Sequence, residues 1–343
     1  MKAAILGATG LVGQRFIQLL DDHPWFDVTT VTGSDRRVGG LYGEAVQWRI
    51  ESPLNPKVAE LTIQPSETDH IDADIVFSAL PSTRSLRIEE EFAEAGYVVV
   101  SNSAAHRMDE DVPLMNPEVN FDHLSLVDEQ RRKRKWNGAI VTNPNCTTAV
   151  LTLSLKPIAE SFGIKKVVMS SMQAASGAGY PGVSSLDIID NIIPFINEEE
   201  EKVQRETRKI LGRASESADF RVSASCHRVP VIDGHTEAVF VEIEKSAAPE
   251  DIAKSMAEFR AEPQKLKLPT APEQPVVVRS EQDRPQLRFD RTEGRGMSVV
   301  VGRIREDPVF DGVKYAAIGH NTVRGAAGCA VLIAESMKAQ GYL

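Results

Sequence analysis

The sequence has no stretch approaching the roughly 18 uninterrupted apolar residues that a membrane span requires, so no partnership with a membrane is expected. Its first residues, MKAAILGATGLVG, carry one early lysine but no apolar core followed by a small-residue cleavage site. A secretory signal is therefore not read there, and a cytoplasmic location is the expectation. Cysteine is scarce: Cys146, Cys226 and Cys329 are widely spaced, cannot complete a disulfide set and lack the paired spacing of a zinc site. No metal is expected, and each cysteine reads as a free thiol available for chemistry. Positive charge is also in deficit, with 39 Lys and Arg against 49 Asp and Glu and a net charge of −10. A polyanion is repelled on average by such a chain, which argues against a nucleic-acid partner. The one basic run, Arg131 to Lys135, has neither interleaved aromatics nor a second basic stripe and reads as a solvated helix face. The acidic run Glu198 to Glu201 has the same bland reading when taken alone.

What is present fits an ordinary folded protein, 42% hydrophobic and 26% charged, and at 343 residues it exceeds the size of a single core. The run at 2–7 is followed by a glycine turn and an amphipathic segment, a strand, turn and helix. Further strands are expected at 27–32, 73–79 and 97–101, with a helix at 84–95, an alternation that predicts a Rossmann-type, doubly wound parallel sheet. After residue 147 the texture changes. A helix at 148–161 leads into alternating strands at 164–174, 219–229, 235–244 and 297–305, expected to form a mixed, largely antiparallel sheet in an α+β domain. The Pro-, Gln- and charge-rich stretch 262–286 reads as a connection. The last segment, 321–339, reads as a helix with small residues in its first turns. These features predict one domain over 1–147, a second over 148–320, and a C-terminal helix within 321–343 that returns to the first.

Gly7, Gly10 and Gly13 stand in G-A-T-G-L-V-G where the first strand meets the first helix. Glycines at that junction allow a tight turn and let backbone amides approach a pyrophosphate at the positive end of the helix. Thr9, Leu11 and Val12 complete the loop. At the end of the second strand, where NAD-specific proteins commonly hold the ribose with an acidic residue, the sequence reads Gly33, Ser34, Asp35, Arg36, Arg37. A hydroxyl and two guanidinium groups suit a 2′-phosphate, so NADP is the expected cofactor. Asp35 is compatible with NAD or with an arginine partner.

The segment Thr142-Asn143-Pro144-Asn145-Cys146-Thr147-Thr148 precedes the helix expected at 148–161. A cysteine at a helix N-terminus feels partial positive charge that favours thiolate, and the free amides there can steady an oxyanion. Polar neighbours on both sides distinguish it from a buried structural cysteine. A thiolate on a dinucleotide fold points to aldehyde chemistry through a thiohemiacetal and a thioester, which needs an acid/base. His227 and His235 are candidates that composition leaves level; His235 follows the Asp233-Gly234 turn at a strand mouth.

Together the glycine loop, N-P-N-C-T-T, S-M-Q-A-A-S-G-A-G-Y-P-G at 171–182 and R-V-P-V-I-D-G-H at 228–235 resemble the aspartate-semialdehyde dehydrogenase family, in its archaeal and fungal branch. The resemblance spans nearly the whole chain and takes in S-N-S-A-A-H-R-M-D at 101–109 and H-N-T-V-R-G-A-A-G at 320–328. It implies Cys146 as nucleophile, His235 as acid/base and Gln173 as a group orienting the acyl intermediate. It implies Arg228 for the substrate carboxylate, Arg107 for the phosphate, and Glu199 and Lys202 in the substrate pocket, the register within four successive glutamates staying open. Pro81, Ser82, Ser176, Gly177 and Asn321 would approach the cofactor. It further implies NADPH-dependent conversion of 4-phospho-L-aspartate to L-aspartate 4-semialdehyde with release of phosphate, in biosynthesis of lysine, threonine and methionine, by a homodimer or homotetramer.

Two other readings use the same residues. Malonyl-coenzyme A reductase is similar to this branch, but its cysteine segment lacks the asparagine that stands here as Asn145. A noncatalytic NADP-binding sensor would survive blocking of Cys146, whereas an enzyme would not.

Overall fold

The computed structural model describes residues 1–343. Strand β1 (Lys2–Leu6) is buried on both faces after its first residue, as a strand inside a parallel sheet covered on both sides must be. It pairs in parallel with β2 (Asp27–Val31) and β3 (Ile75–Ser78), and β4 (Val98–Ser101) and β5 (Ala139–Thr142) extend the sheet in the order β2-β1-β3-β4-β5. Helices α1 (Leu11–Leu20), α2 (Ser82–Glu94) and α3 (Leu126–Arg134) lie in the crossovers. The sequence pattern did not mark β5, whose Ala-Ile-Val-Thr stands close between the basic run and the Asn-Pro of 143–144. The basic run lies at the end of α3 and is only partly a solvated face. Arg134 forms ion pairs with Asp111, Asp109 and Glu90, and Arg131 donates to the Gly138 carbonyl.

Helix α4 (Cys146–Phe162) follows β5 and begins a second layer, two residues earlier than the pattern predicted. The second sheet has six strands: β6 (Ile164–Gln173), β7 (Arg221–Arg228), β8 (His235–Ile243), β9 (Val276–Arg279), β10 (Val299–Glu306) and β11 (Gly312–Gly319), ordered β7-β6-β8-β11-β10-β9. The β6–β7 and β9–β10 pairs are parallel and the three others antiparallel. Strand β9 falls inside the stretch expected to be a connection. Its Val276, Val277 and Val278 pair with β10, while prolines and charges around them mask the pattern. Strand β11 was also not anticipated. Helices α5 (Glu199–Ile210) and α6 (Pro249–Glu258) pack against α4, whose Val150, Leu151 and Leu153 enter the second core with Val239 and Val241 of β8.

The C-terminal segment is not one continuous helix. A π turn, Val323–Ala327, precedes α7 (Gly328–Ala339), and α7 joins the core of the first sheet, where Ala330, Val331, Ile333 and Met337 share a cluster with Ile5, Phe77, Val100 and Val141. Small residues along α7 permit that close packing. No helix is long and apolar enough to cross a membrane.

Candidate active site

The turn from β1 into α1 has the form the glycines suggest. Gly7 has φ +73°, and a β-carbon on Gly13 would stand 2.4 Å from the Gly7 carbonyl oxygen and 2.6 Å from Ala8 Cα. Only glycine lets the helix start so close to the strand. The first intrahelical bond runs from the Gln14 N–H to the Gly10 carbonyl, so the amides of Leu11, Val12 and Gly13 have no partner within the helix. Thr9, Gly10, Leu11 and Val12 line a cleft of about 770 Å³, whose walls also include Arg37, Pro81, Ser82, Arg107, Cys146, Ser176, Gly177 and Asn321. Free amides at a helix N-terminus, an open approach to them and a guanidinium at the rim fit a phosphorylated dinucleotide. Of the residues expected at the 2′-phosphate, Arg37 lines this cleft; Ser34 and Arg36 are exposed and do not.

The same cleft reaches the first residue of α4. Asn145 caps this helix, its Oδ1 accepting from the Thr147 and Thr148 amides, and its Nδ2 donates to Glu199 Oε1 at 2.9 Å. Beneath Cys146, strand register sets Arg228 of β7, Gln173 of β6 and His235 of β8 side by side on one face. The sequence pattern named His235 and the family resemblance Gln173 and Arg228, and the sheet brings the three together. His235 Nε2 lies 3.1 Å from Cys146 Sγ, and its Nδ1 accepts the Ala174 N–H at 3.1 Å. The lone pair at Nδ1 is thereby committed, so the neutral ring carries its proton on Nε2, facing the sulfur. Burial, reinforced by Arg228 and His320, holds the His235 pKa down at about 3. His227 sits instead on the solvent side of β7, beside Ser170 and the Ser171 carbonyl, so the structure separates the two histidines.

The thiol departs from the sequence expectation of a lowered pKa. Burial, with the Glu199 carboxylate adding to it, pushes Cys146 up to about 12, against Arg228, Arg107 and the Thr147 amide, which pull it down. The Asn145 side chain takes the first-turn amides that would otherwise face a thiolate. Since Cys146 reaches the open cleft, water there offsets part of the burial. Cys146 stands between a carboxylate that opposes the thiolate and two guanidinium groups that favour it.

Arg107 reaches the cleft from the segment after β4. Its Nη1 pairs with Glu206 Oε1 at 3.0 Å, its Nη2 donates to the Asn102 carbonyl, and its buried Nε has no partner. Lys209 holds this segment through bonds to the carbonyls of Arg107, Asp109 and Val112. Arg228 donates from Nη1 to the Ala174 carbonyl at 2.7 Å, and a β-carbon on Gly177 would meet the same nitrogen at 2.6 Å, which fixes Arg228, Gly177 and His235 as neighbours. Gln173 is buried and donates to Ser171 Oγ, behind the cleft wall. In the acidic run, Glu199 turns inward against Asn145, Glu200 accepts the Cys226 amide and Glu201 is exposed. Lys202 pairs with Glu198 on the partly exposed side of α5 and is not brought to the cleft. Sequence reasoning passed over Glu206, which accepts both Arg107 and the Asn145 N–H. Its signal was available: Glu206 follows Glu199 by seven residues, two turns along one helix face. Asn102, Tyr180, Thr322 and Gly325 also line the cleft without having been singled out.

A glycine loop opening a helix and a cysteine backed by a buried histidine, at one cleft that Arg37 and Arg107 line, define a dinucleotide-linked dehydrogenase of the thiol type. Family models agree: residues 2–127 match the semialdehyde dehydrogenase NAD binding domain and residues 155–324 match the semialdehyde dehydrogenase dimerisation domain. Aspartate-semialdehyde dehydrogenase of Archaeoglobus fulgidus is 55% identical, over 98% of this chain and 97% of its own length. The crystal structure of aspartate semialdehyde dehydrogenase with NADP from Candida albicans superposes with a TM-score of 0.92 at 39% identity, covering 100% of this chain and 99% of that one. Malonyl CoA reductase (NADP) of Metallosphaera sedula is 42% identical over 100% of this chain and 99% of its own. The chain belongs to the aspartate-semialdehyde dehydrogenase family, and the dimerisation domain it contains supports a homo-oligomer.

Proposed function

We propose that the protein reduces 4-phospho-L-aspartate to L-aspartate 4-semialdehyde with NADPH and releases phosphate, in the route to lysine, threonine and methionine. The observation that carries this reading is Cys146 Sγ at 3.1 Å from His235 Nε2, in a cleft shared by the glycine loop and Arg107. Cys146 Sγ attacks the acyl carbon as the bond to the phosphate oxygen breaks; the thiol proton leaves on that oxygen as hydrogen phosphate, and a thioester remains on Sγ. Arg107, with a free Nε, meets the departing phosphate, and Arg228 holds the substrate carboxylate. His235 holds and moves a proton at Nε2, the ring atom facing the sulfur. Gln173, beside His235 in the sheet, orients the acyl group, and Glu199 acts through Asn145. The glycine loop of Gly7–Gly13, with Arg37, Pro81, Ser82, Ser176, Gly177 and Asn321, forms the surroundings of NADP, and Ser34 and Arg36 stand outside the cleft. When bound, this cofactor supplies hydride-transfer chemistry. Residues 1–147 with the C-terminal helix of 321–343 make the NADP-binding domain, residues 148–320 the catalytic and dimerisation domain, and the working form is a cytoplasmic homodimer or a pair of dimers.

The test follows NADPH absorbance at neutral pH with aspartate semialdehyde, phosphate and NADP, and separately with malonyl-coenzyme A and NADPH. Phosphate-dependent NADPH formation in the first mixture alone is the expected result. Turnover in the second alone would move the chain to the reductase, whose Metallosphaera relative matches it end to end.

A further inference from the structure

The segment His320–Gly328 belongs to neither the glycine loop nor the cysteine segment, yet it touches the nucleophile and the residue that precedes the imidazole. Asn321 Oδ1 accepts the N–H of Gly234, the residue before His235, at 2.7 Å, and its Nδ2 donates to Ser176 Oγ at 2.8 Å. Four residues on, Gly325 lies against the nucleophile: a β-carbon there would stand 2.6 Å from Cys146 Cβ and 2.8 Å from Cys146 Cα. Between them the backbone makes a π turn, closed by the Gly325 N–H to the His320 carbonyl and the Ala327 N–H to the Thr322 carbonyl. Single π turns recur at functional sites.

The turn is anchored from behind by Arg324, which is fully buried. Its Nε donates to the Met297 carbonyl at 2.6 Å, and its two Nη atoms bond separate oxygens of buried Glu118 at 2.8 and 2.5 Å. Near that carboxylate, Asn116 donates to the Ala149 carbonyl and Thr152 Oγ1 of α4, the helix that Cys146 begins. The anchor and the nucleophile are thus referred to the same helix.

We infer that this π turn is a positioning element that sets the distance from Cys146 Sγ to His235 Nε2, with Gly325 as its spacer and Arg324 as its anchor. The inference deepens the proposed function and rests on one part of it, that Cys146 is the nucleophile.

Two variants of the full chain test it, Gly325→Ala and Arg324→Lys. The first adds a methyl group where the Cys146 backbone leaves no room; the second keeps the charge but loses the two-point fork, loosening the turn without a clash. Three readouts are taken: kcat and KM, NADP binding, and the pH profile of iodoacetamide alkylation at Cys146 followed by peptide mass. Cys226 and Cys329 are buried, so the profile reports Cys146. A displacement near 1 Å is expected to lower kcat about 100-fold. KM and NADP binding should change far less, and the alkylation midpoint should move. Alkylation needs neither substrate nor cofactor, so an error in the substrate assignment leaves this arm standing. Wild-type kcat and alkylation midpoint in both variants would overturn the inference. Failure of both to fold would also overturn it, making the turn an element of stability alone.

Discussion

His235 illustrates how one backbone amide can set the chemistry of a side chain. The Ala174 N–H occupies Nδ1, and burial holds the pKa near 3 against an ordinary value of 6.5. Between those values the unfolded chain binds a proton that the folded chain refuses, so stability is full above pH 6.5 and falls as pH drops toward 3. His320, held near 4 chiefly by burial, acts in the same direction, while His106, raised by Asp109 and Glu89, acts in the opposite one. His235→Asn is therefore expected to flatten the acid side of the stability curve, measured by urea unfolding from pH 4 to 8. An unchanged slope would mean that the ring is already free to protonate. A second residue-level outcome separates two adjacent arginines. Arg37 lines the cleft and Arg36 does not, so Arg37→Ala should weaken NADP binding by roughly tenfold or more and leave NAD binding nearly unaltered. Arg36→Ala should do little, and equal losses in the two variants would remove the distinction.

Helix α5 shows how a surface-looking run becomes part of a site. Glu199, Val203, Glu206 and Ile210 recur on one face and are buried, and the two carboxylates meet Asn145 and Arg107. Glu206→Ala would leave Arg107 and the Asn145 amide without their acceptor, at a cost on the order of 3 kcal/mol. Urea denaturation and the KM for the phosphorylated substrate should both register it, and a stable variant with wild-type KM would show that Arg107 needs no such support. The period of this face is that of a helix, yet taken alone the acidic run reads only as a solvated face and Glu206 goes unnoticed. The glycine loop, whose backbone demands are local, and the cysteine at the head of α4 were legible. What was not legible depends on pairing across the chain. Strands β5 and β9 are four residues each, like β3 and β4, but charged, polar and proline residues crowd their flanks, and the neighbours that identify them are distant in sequence. The row Arg228–Gln173–His235 exists only through register among β7, β6 and β8, so no spacing within any one strand announces it. The upward pKa of Cys146 was hidden for a related reason. A helix end predicts a lower value, whereas desolvation and Glu199, both products of tertiary packing, raise it.

Across the whole molecule, the C-terminal helix links parts that would otherwise meet only at the cleft. Glu335 of α7 is buried, lies 2.8 Å from His23 Nε2 just after α1, and accepts the Thr270 amide and hydroxyl from the segment leading to β9. His23 Nδ1 accepts the amides of Trp25 and Phe26, so Nε2 is the ring nitrogen that donates to Glu335. Three distant stretches of chain therefore converge on one carboxylate that no water reaches. Removing it strands two donors from Thr270 and one from His23, each costing about 1–3 kcal/mol when left without a partner. Glu335→Ala should accordingly lower unfolding free energy by roughly 3 kcal/mol or more, and Glu335→Gln, which retains one carbonyl acceptor, by less. The shape of the transition matters as much as its midpoint. If α7 couples the two sheets, calorimetry of the wild type should show one endotherm, and Glu335→Ala should broaden or split it as the coupling weakens. A single sharp endotherm in the variant, shifted by less than 1 kcal/mol, would place the coupling in the apolar face of α7 instead, where Ile333 and Met337 enter the first core.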